Sequence, residues 1–411
     1  MNDLPRLLIV SEATLSEDSR GANRTLANLF ENYPRDRLMV YAPAEQLKNE
    51  PTSTRLASRS NSFKGSFLPP VRNRLGKFIN PLITAINLQL LDWLPIENRE
   101  SLEDFRPEVI LICPITTRCL LMGYKVAMYF DCPFAIYFMD DWIATDRTSW
   151  LSSGVQKLSD WLLAESTGWL MISEQLQDSL SKRYQIVPQQ SEIVHNPVDL
   201  SDKQTPDFEI SQATTFKVLY AGSIFAMHYD AIAVIAEAIY HLRQEGKDIE
   251  LVLHTSEKFW QQYQDSWHKW QVTKGGFIPY EQLNQCLQQG NLLLVASSFL
   301  PEHKYMTNSS VQTKITDYMA SGTPIFASGP NYSACNNFIK KHDCGLVCET
   351  NKVSEVKKYL LEQISNQQLN QKYAATAFKV LEEKFEKQRV SQRLYEFIKS
   401  LSNNAKKQYN Y

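Results

Sequence analysis

The chain has 411 residues, which is too long for one ordinary hydrophobic core and predicts two large domains. Its 43% hydrophobic and 21% charged residues are typical of a folded globular protein, and a net charge of −2 argues against a nucleic-acid binder that relies on bulk charge. The seven cysteines form no CxxC pair and no metal-ligand spacing with the seven histidines, so we expect reduced thiols in a cytoplasmic protein.

The first half of the chain alternates short apolar runs with segments of helical spacing. This order predicts a parallel, doubly wound α/β sheet. Gly21 lies in the loop after the first apolar run, where backbone amides could approach an anion or a substrate. The predicted strands cover 6–10, 37–41, 107–114, 132–141, 169–173 and 193–199.

Positive charge is concentrated between 48 and 77, where seven Lys or Arg residues stand against one acid, Glu50. An apolar segment that contains Trp93 continues to position 95. Together these features are typical of a surface that contacts anionic lipid or holds an anionic lipid-linked acceptor. A solvated loop followed by an ordinary packed helix would give the same pattern. No stretch has the roughly 18 consecutive apolar residues of a membrane-spanning helix.

Two carboxylates, Asp140 and Asp141, end the strand predicted at 132–141. Open α/β sheets form their active sites at this end of a strand. The paired acids could bind a metal ion, act as a general base, or cap the helix that follows. The residues by themselves leave these three roles open.

A polar stretch from 201 to 214 has the composition of a linker, and a second series of strands and helices starts after it. In this half, Gly222 and Ser223 form a small-residue turn between a strand and a helix, which is a second place where an anion could approach. The predicted strands are 217–220, 249–254, 275–279, 291–296, 325–327 and a short one within 340–348.

The stretch from 309 to 330 combines a helix, a helix stop and a buried strand. Ser309 or Ser310 could cap the helix, and Gly322 would end it. Hydroxyl groups and a lysine at a helix N-terminus, with a carboxylate one turn further, would suit a diphosphate and a vicinal diol. A face that only contacts solvent would show the same spacing. The polar face of this helix carries Ser310, Thr313, Lys314 and Asp317.

The motifs YAGSI, GGFIPYEQL, NLLLVAS and SSVQTKITDYMASGTPIFASGP follow one another in the second half, and IVHNPVD closes the first. In this order they resemble the retaining glycosyltransferases of the GT-B fold, family 4 or group 1 type. The resemblance implies two Rossmann-like, doubly wound α/β domains that face a cleft. The acceptor domain would cover 1–205 and the nucleotide-sugar donor domain 206–385, with a last helix, about 386–411, that crosses back to the first domain.

The resemblance also implies roles for individual residues. Asp317 matches the acid that binds the donor ribose, and Lys314 matches a lysine beside the diphosphate, where it would act with Asp140 or Asp141 as a catalytic residue. Arg20 and Gly21 match the acceptor-side loop. The implied donor-binding set, which includes the segment that reads the base, is Gly222, Ser223, Phe277, Ile278, Pro279, Ser309, Ser310, Thr313, Lys314 and Asp317.

Two positions depart from the family pattern. Many relatives hold the donor sugar with a second acid where this chain has Ser309, and many carry an Arg and a Lys after the glycine-rich turn where this chain offers only His228. Glu302, His303 and Lys304 could make the missing contacts to the sugar or the diphosphate. The sequence has no DxD motif, so neither a metal ion nor another cofactor is required.

The resemblance implies an enzyme that transfers a hexosyl group from a nucleotide diphosphate sugar to a hydroxyl of a saccharide or lipid-linked acceptor. Retention at the anomeric carbon and a role in cell-surface polysaccharide or glycolipid synthesis would follow. We expect a cytoplasmic protein with no nucleic-acid partner, in contact with the inner face of the membrane if 48–95 binds anionic lipid. Two other functions stay open: a GT-B binding or scaffold protein that has lost its activity, and a sugar-nucleotide epimerase.

Overall fold

The chain folds into two compact units, Met1–Pro197 with Lys387–Tyr411, and Val198–Glu386. The first boundary lies at Pro197, before the position 205 expected from the linker composition. The reason is that Val198 is buried in the core of the second unit and donates its backbone N–H to Phe385 O, at 3.0 Å. The structure, a computed structural model, describes residues 3–15, 22–47, 56–57, 59–64, 68, 71, 75–90, 93–114, 117–139, 141, 161–200, 206, 208 and 215–408.

The first unit is built on a sheet whose seven described strands all pair in parallel, in the order β3-β2-β1-β4-β5-β6-β7. The strand predicted at 193–199 lies earlier in the chain, because only Ser191–Ile193 pair with the preceding strand of the sheet. The strands are β1 (Leu7–Ser11), β2 (Leu38–Pro43), β3 (Arg59–Phe63), β4 (Val109–Cys113), β5 (Phe134–Phe138), β6 (Gly168–Met171) and β7 (Ser191–Ile193).

Both faces of this sheet are buried, which explains why its strands read as continuous apolar runs. In β1, Leu7 and Ile9 pack into one hydrophobic cluster, whereas Leu8 and Val10 pack into the cluster on the opposite face. Helices lie between the strands in sequence, as the alternating pattern predicts. They are α1 (Ala22–Phe30), α2 (Ala44–Leu47), α3 (Gly76–Gln89), α4 (Arg99–Phe105), α5 (Thr117–Phe130) and α6 (Glu174–Tyr184).

The second unit repeats this architecture with a parallel sheet in the order β10-β9-β8-β11-β12-β13 over its described residues. The strand predicted at 275–279 is wrong, because Gly276 has a φ of +75° and the segment is a loop that follows a two-residue strand. The strands are β8 (Phe216–Ala221), β9 (Ile249–His254), β10 (Thr273–Lys274), β11 (Leu292–Ala296), β12 (Ile325–Ser328) and β13 (Leu346–Cys348).

Helices again alternate with these strands, and two helices follow the last of them. They are α7 (Ala226–Gln244), α8 (Glu257–Gln262), α9 (Gln264–Lys269), α10 (Tyr280–Leu287), α11 (Lys304–Ser309), α12 (Lys314–Ser321), α13 (Ala334–His342), α14 (Val353–Ser365) and α15 (Gln367–Lys384).

The final helix, α16 (Lys387–Gln408), belongs to the first unit rather than the second. Its apolar face is buried in a hydrophobic cluster of that unit through Val390, Leu394 and Leu401. The Tyr395 hydroxyl donates to Leu29 O at 2.8 Å and fixes the helix against α1. In the part of the chain that the structure describes, no helix combines the length and the hydropathy needed to cross a bilayer.

Candidate donor site in the second unit

The strand order of the second unit reverses between β8 and β11, which are neighbours in the sheet but not in sequence. Ligand sites of open α/β sheets form at such a switch point, outside the carboxyl ends of the strands. Gly222 and Ser223 follow β8 at this edge, and Ser297 and Ser298 follow β11. The turn predicted to approach an anion is therefore at the place where this architecture binds ligands.

Gly222 is required at its position by backbone conformation and by space. Its φ of +135° is disfavoured for residues with a side chain, and its N–H donates to His254 O at 2.9 Å. A Cβ atom at this position would lie 3.0 Å from Lys314 Nζ. Because Gly222 has no side chain, the Lys314 amine lies directly against the backbone of the Gly222–Ser223 turn.

Lys314 is the first residue of α12, and its Nζ atom is fully buried with no hydrogen-bond partner. The side chain as a whole is only half-buried, so the burial is concentrated at the amine. Burial lowers the pKa of Lys314 to about 7, an effect that Cys335 partly offsets. A buried cation normally has a counter-ion, and this one has none among the described residues of its unit. An anion bound here would therefore stabilise the charged form of the Lys314 amine.

Two tyrosines hold the turn beside this amine. The Tyr220 hydroxyl donates to Ser223 O at 2.8 Å, and the Tyr220 ring lies under Lys314 Nζ. The Tyr318 hydroxyl, from α12, accepts from Ala221 N at 2.9 Å and donates to Ala221 O at 3.3 Å. Because Lys314 and Tyr318 belong to the same helix, the amine and the glycine turn have a fixed relative position.

His228 is the residue predicted to supply a cation after the turn, and the structure contradicts that role. Its ring is buried, with Nδ1 at 3.2 Å from Ser223 O, to which a neutral imidazole can donate. Burial, Lys314 and His303 together lower the pKa of His228 to about 3. His228 is therefore neutral near pH 7, and Lys314 is the cation closest to the turn.

Asp317 lies in the first turn of α12, half-buried, and accepts a hydrogen bond from the Tyr280 hydroxyl at 3.3 Å. Tyr280 begins α10, and the loop before it carries Phe277, whose ring is 54% exposed, with Ile278 half-buried and Pro279 exposed. A carboxylate beside exposed aromatic surface suits a ribose and its base. The ribose contact that the resemblance implies for Asp317 stays a prediction.

Ser309 and Ser310 do not cap the helix that contains Lys314, contrary to the sequence-based expectation. Ser309 ends α11, is fully buried, and donates to Tyr305 O at 2.8 Å, while Ser310 is the C-cap of α11. Thr313 is the exposed N-cap of α12 and makes no side-chain capping bond. A second short helix between β11 and α12 thus moves Ser309 into the packing of α11, so its hydroxyl is not placed to hold a sugar.

The loop after β11 carries the remaining candidates and is tied to α7. Phe299 N donates to Asp230 Oδ2 at 2.8 Å, and Ser298 N donates to Met227 O at 3.0 Å. Of the candidates on this loop, Glu302 and Lys304 are exposed and His303 is half-buried and interacts electrostatically with His228. Their contacts to a sugar or diphosphate stay predictions.

Sequence reasoning missed several residues that build this site, because their partners are distant in sequence. Gln312 donates from Nε2 to Ala296 O at 2.6 Å and anchors the chain before α12 to the end of β11. The only signal for Gln312 in the sequence was its position directly before Thr313 and Lys314. The other missed residues are Tyr220, Asp230, Tyr280 and Tyr318.

In the first unit, the structure gives Asp141 a structural partner. Its side chain is fully buried, and its two oxygens accept from Arg183 Nη1 at 3.0 Å and Nη2 at 2.6 Å. A carboxylate held in this way is not available as a base. Asp140, Arg20 and Gly21 lie outside the described residues. No group of three or more His, Cys, Asp or Glu side chains suited to a metal ion occurs among the described residues.

Part of the second unit matches a known protein family. Residues 215–366 match the family described as Glycosyl transferases group 1. No curated protein matches the chain. The resemblance to group 1 glycosyltransferases is thus confirmed over most of the second unit, and the assignment to family 4 stays a prediction.

Solved structures match the chain over nearly its whole length. HepE of Anabaena, in complex with UDP and glucose, has a TM-score of 0.66 at 14% identity and covers 96% of this chain and 100% of its own. Sucrose-phosphate synthase from Thermosynechococcus elongatus has a TM-score of 0.68 at 11% identity, and the match covers 96% of this chain and 99% of the synthase chain. A glycosyltransferase from Rickettsia africae has a TM-score of 0.66 at 11% identity, with 98% and 99% covered. These likenesses confirm the GT-B fold.

Proposed function

We propose that this chain, which has the GT-B fold and a group 1 glycosyltransferase region, transfers a sugar from a nucleotide diphosphate sugar to a hydroxyl group. The observation that carries the proposal is the buried amine of Lys314, which has no hydrogen-bond partner and lies against the Gly222 turn. A donor diphosphate at this place would hydrogen-bond this amine and stabilise its charged form. Asp317 would accept hydrogen bonds from the two ribose hydroxyls one turn further along α12.

Lys314 would act mainly on the leaving group. When the sugar–oxygen bond breaks, negative charge builds up on the departing diphosphate, and a fixed cation in a dry site stabilises that charge more than it stabilises the bound donor. The amine is held on one side by the Tyr220 ring and on the other by the backbone of Gly222. It therefore needs little reorganisation during the reaction.

The donor we propose is a UDP-hexose. The support is that HepE, a structural neighbour of the whole chain, is described in complex with UDP-glucose. Retention at the anomeric carbon, a saccharide or lipid-linked acceptor, and a role in cell-surface polysaccharide or glycolipid synthesis are further parts of the proposal, supported by the sequence resemblance. The absence of a DxD motif from the sequence supports transfer without a metal ion. We place the reaction in the cytoplasm, at the inner face of the membrane.

The test of donor binding uses thermal unfolding with UDP-, GDP-, ADP- and dTDP-sugars. A ligand that binds only the native state at about 100 times its Kd adds about 2.7 kcal/mol to the free energy of unfolding. We expect the largest rise in Tm with a UDP-sugar in the wild type and a much smaller rise in Lys314→Met. No rise with any of the four sugars, in a protein shown to be folded by circular dichroism, would contradict the proposal.

A second candidate function is a binding protein that has lost activity, which the burial of Ser309 favours because many relatives place a sugar-binding acid there. Release of free nucleotide on addition of an acceptor separates the two functions. A transferase releases one nucleotide for each sugar transferred, whereas a binding protein releases none. An epimerase would instead convert the donor sugar without any acceptor.

A further inference from the structure

The helix α3 of the first unit presents its apolar side to solvent. Leu75, directly before the helix, and Phe78, Ile79 and Leu82 within it recur at helical spacing and are all exposed, with Phe78 at 68%. Trp93, shortly after the helix, is 79% exposed. None of the described α3 side chains belongs to the two hydrophobic clusters of the unit. The exposed apolar side chains of this segment are therefore not part of the core of the first unit.

The polar side of α3 is occupied by the protein itself, through two asparagines. Asn80 accepts from Val71 N at 2.7 Å and donates to Val71 O at 3.1 Å. Asn87, two turns further, makes the same pair of bonds with Leu68 N and O, both at 3.0 Å. Each amide side chain thus pairs with the backbone as a neighbouring strand would. These four bonds occupy the polar side of α3 and leave its apolar side exposed.

The charge of the surrounding sequence indicates which kind of partner could bind the apolar side of α3. Between positions 51 and 91 there are no Asp or Glu residues, whereas six Lys or Arg residues occur: Arg55, Arg59, Lys64, Arg72, Arg74 and Lys77. Arg59 is paired with Asp104, and Lys64 is exposed. An apolar helix face in a segment with only positive charges is complementary to an anionic lipid surface, where each nearby cation adds attraction. A second copy of the same face would repel it.

We propose that the surface formed by Leu75, Phe78, Ile79, Leu82 and Trp93, hereafter the α3 surface, inserts into the interface of an anionic lipid bilayer. The apolar side chains enter the boundary between headgroups and acyl chains, and the exposed Lys64 contacts the headgroups. Trp93 is suited to this depth because its ring is apolar with one polar N–H. The proposal is independent of sugar transfer, because it concerns a different unit and a different surface from the Lys314 site.

The test is flotation of the full-length protein with vesicles of phosphatidylcholine alone and of phosphatidylcholine mixed with phosphatidylglycerol. We expect the wild type to bind the mixed vesicles, to bind less at high salt, and to bind the neutral vesicles weakly. The double variant Phe78→Ser/Leu82→Ser should lose at least roughly tenfold in affinity, because two side chains no longer transfer from water. Val187→Ser removes another highly exposed apolar side chain of the first unit and should bind like the wild type.

Two further measurements keep the proposal falsifiable. The tryptophan emission of the wild type should shift to the blue on adding mixed vesicles, and Trp93→Phe should reduce that shift. Unchanged circular dichroism and an unchanged donor-induced Tm shift would show that the double variant is folded. The proposal is overturned if the wild type does not bind mixed vesicles, if the double variant binds them equally well, or if sedimentation without lipid shows a dimer that the double variant abolishes.

Discussion

The Nζ atom of Lys314 lies 3.6 Å from the centroid of the Tyr220 ring and is buried without a hydrogen-bond partner. A desolvated cation–π contact contributes about 2 kcal/mol, which is less than the cost of removing an ammonium group from water. The ring therefore positions the amine without fully stabilising its charge. A bound anion would supply the remaining stabilisation, and this determines how the following variants should behave.

Replacing Lys314 by Met should lower kcat by about 10²–10³-fold, the usual cost of losing one group that stabilises charge in the transition state. Steady-state kinetics with a UDP-sugar and an acceptor measure this loss. Lys358→Met is the matched control, because Lys358 is an exposed lysine of α14 in the same unit. Equal activity of Lys314→Met and the control would remove Lys314 from the mechanism.

The stability of the free protein should depend on pH through Lys314, whose pKa is lowered from 10.5 to about 7 by burial. Below pH 7 the amine is charged in both the folded and the unfolded chain, so the cost of burying the charge is present in full. Between pH 7 and 10.5 only the unfolded chain keeps the proton, so the free energy of unfolding of the wild type rises with pH.

The Lys314→Met variant has no amine to titrate at this position. Comparing the stability of the variant with that of the wild type at each pH therefore isolates the contribution of Lys314 from that of all other titratable groups. The stability of the variant relative to the wild type should be highest near pH 6 and should fall by roughly 2–3 kcal/mol by pH 9. Urea unfolding at both pH values measures the difference. A stability difference that is the same at both pH values would mean that the Lys314 amine keeps its ordinary pKa.

Gly222→Ala should weaken donor binding by roughly 10-fold, because a Cβ atom 3.0 Å from Lys314 Nζ forces the amine to shift slightly. The change also costs about 1–3 kcal/mol in backbone strain at a φ of +135°. Gly246→Ala controls for strain, since Gly246 has a φ of +80° and no atom within 4 Å of the new Cβ position. Calorimetric titration should show normal donor affinity in Gly246→Ala and the expected loss in Gly222→Ala.

Asp317→Asn should raise KM for the donor by about 10–100-fold with a smaller change in kcat, since hydrogen bonds to a charged group contribute about 1.5–3 kcal/mol. The loss should shrink with a donor that carries 2′-deoxyribose, because that donor already lacks one of the two hydroxyls. Tyr280→Phe removes a 3.3 Å hydrogen bond to Asp317 and should have a weaker effect in the same direction. An undiminished loss with the deoxy donor would argue against ribose binding.

Asp141→Asn should destabilise the first unit by about 3–5 kcal/mol, because it replaces the buried carboxylate that pairs with Arg183 by a neutral amide. Urea unfolding measures the loss, and donor binding in the second unit provides a separate readout. Asp343→Asn is the control, as the Asp343–Lys372 pair has both side chains 65% exposed and should contribute at most about 1 kcal/mol. If Asp141→Asn were stable but inactive, Asp141 would have a catalytic rather than a structural role.

The sequence by itself determined the features that depend on local pattern. Buried parallel strands read as continuous apolar runs, so the alternation of strands and helices and the two-sheet α/β fold could be predicted. The Gly222 turn and the end of α12 at Gly322 were also local, since each needs a positive φ. The spacing of Lys314 and Asp317 on one helix face followed from the helical repeat.

The tertiary structure decided what those side chains do, because their partners come from distant segments. Asp141 became half of an ion pair only when α6 brought Arg183 beside it, and Lys314 lost its water only when α12 packed over Tyr220. His228 lost its charge by burial near the same lysine. The α3 surface is exposed, although its sequence would also suit a packed helix. Periodicity in the sequence shows which side of a helix is apolar, but it does not show whether that side packs against the protein or faces solvent.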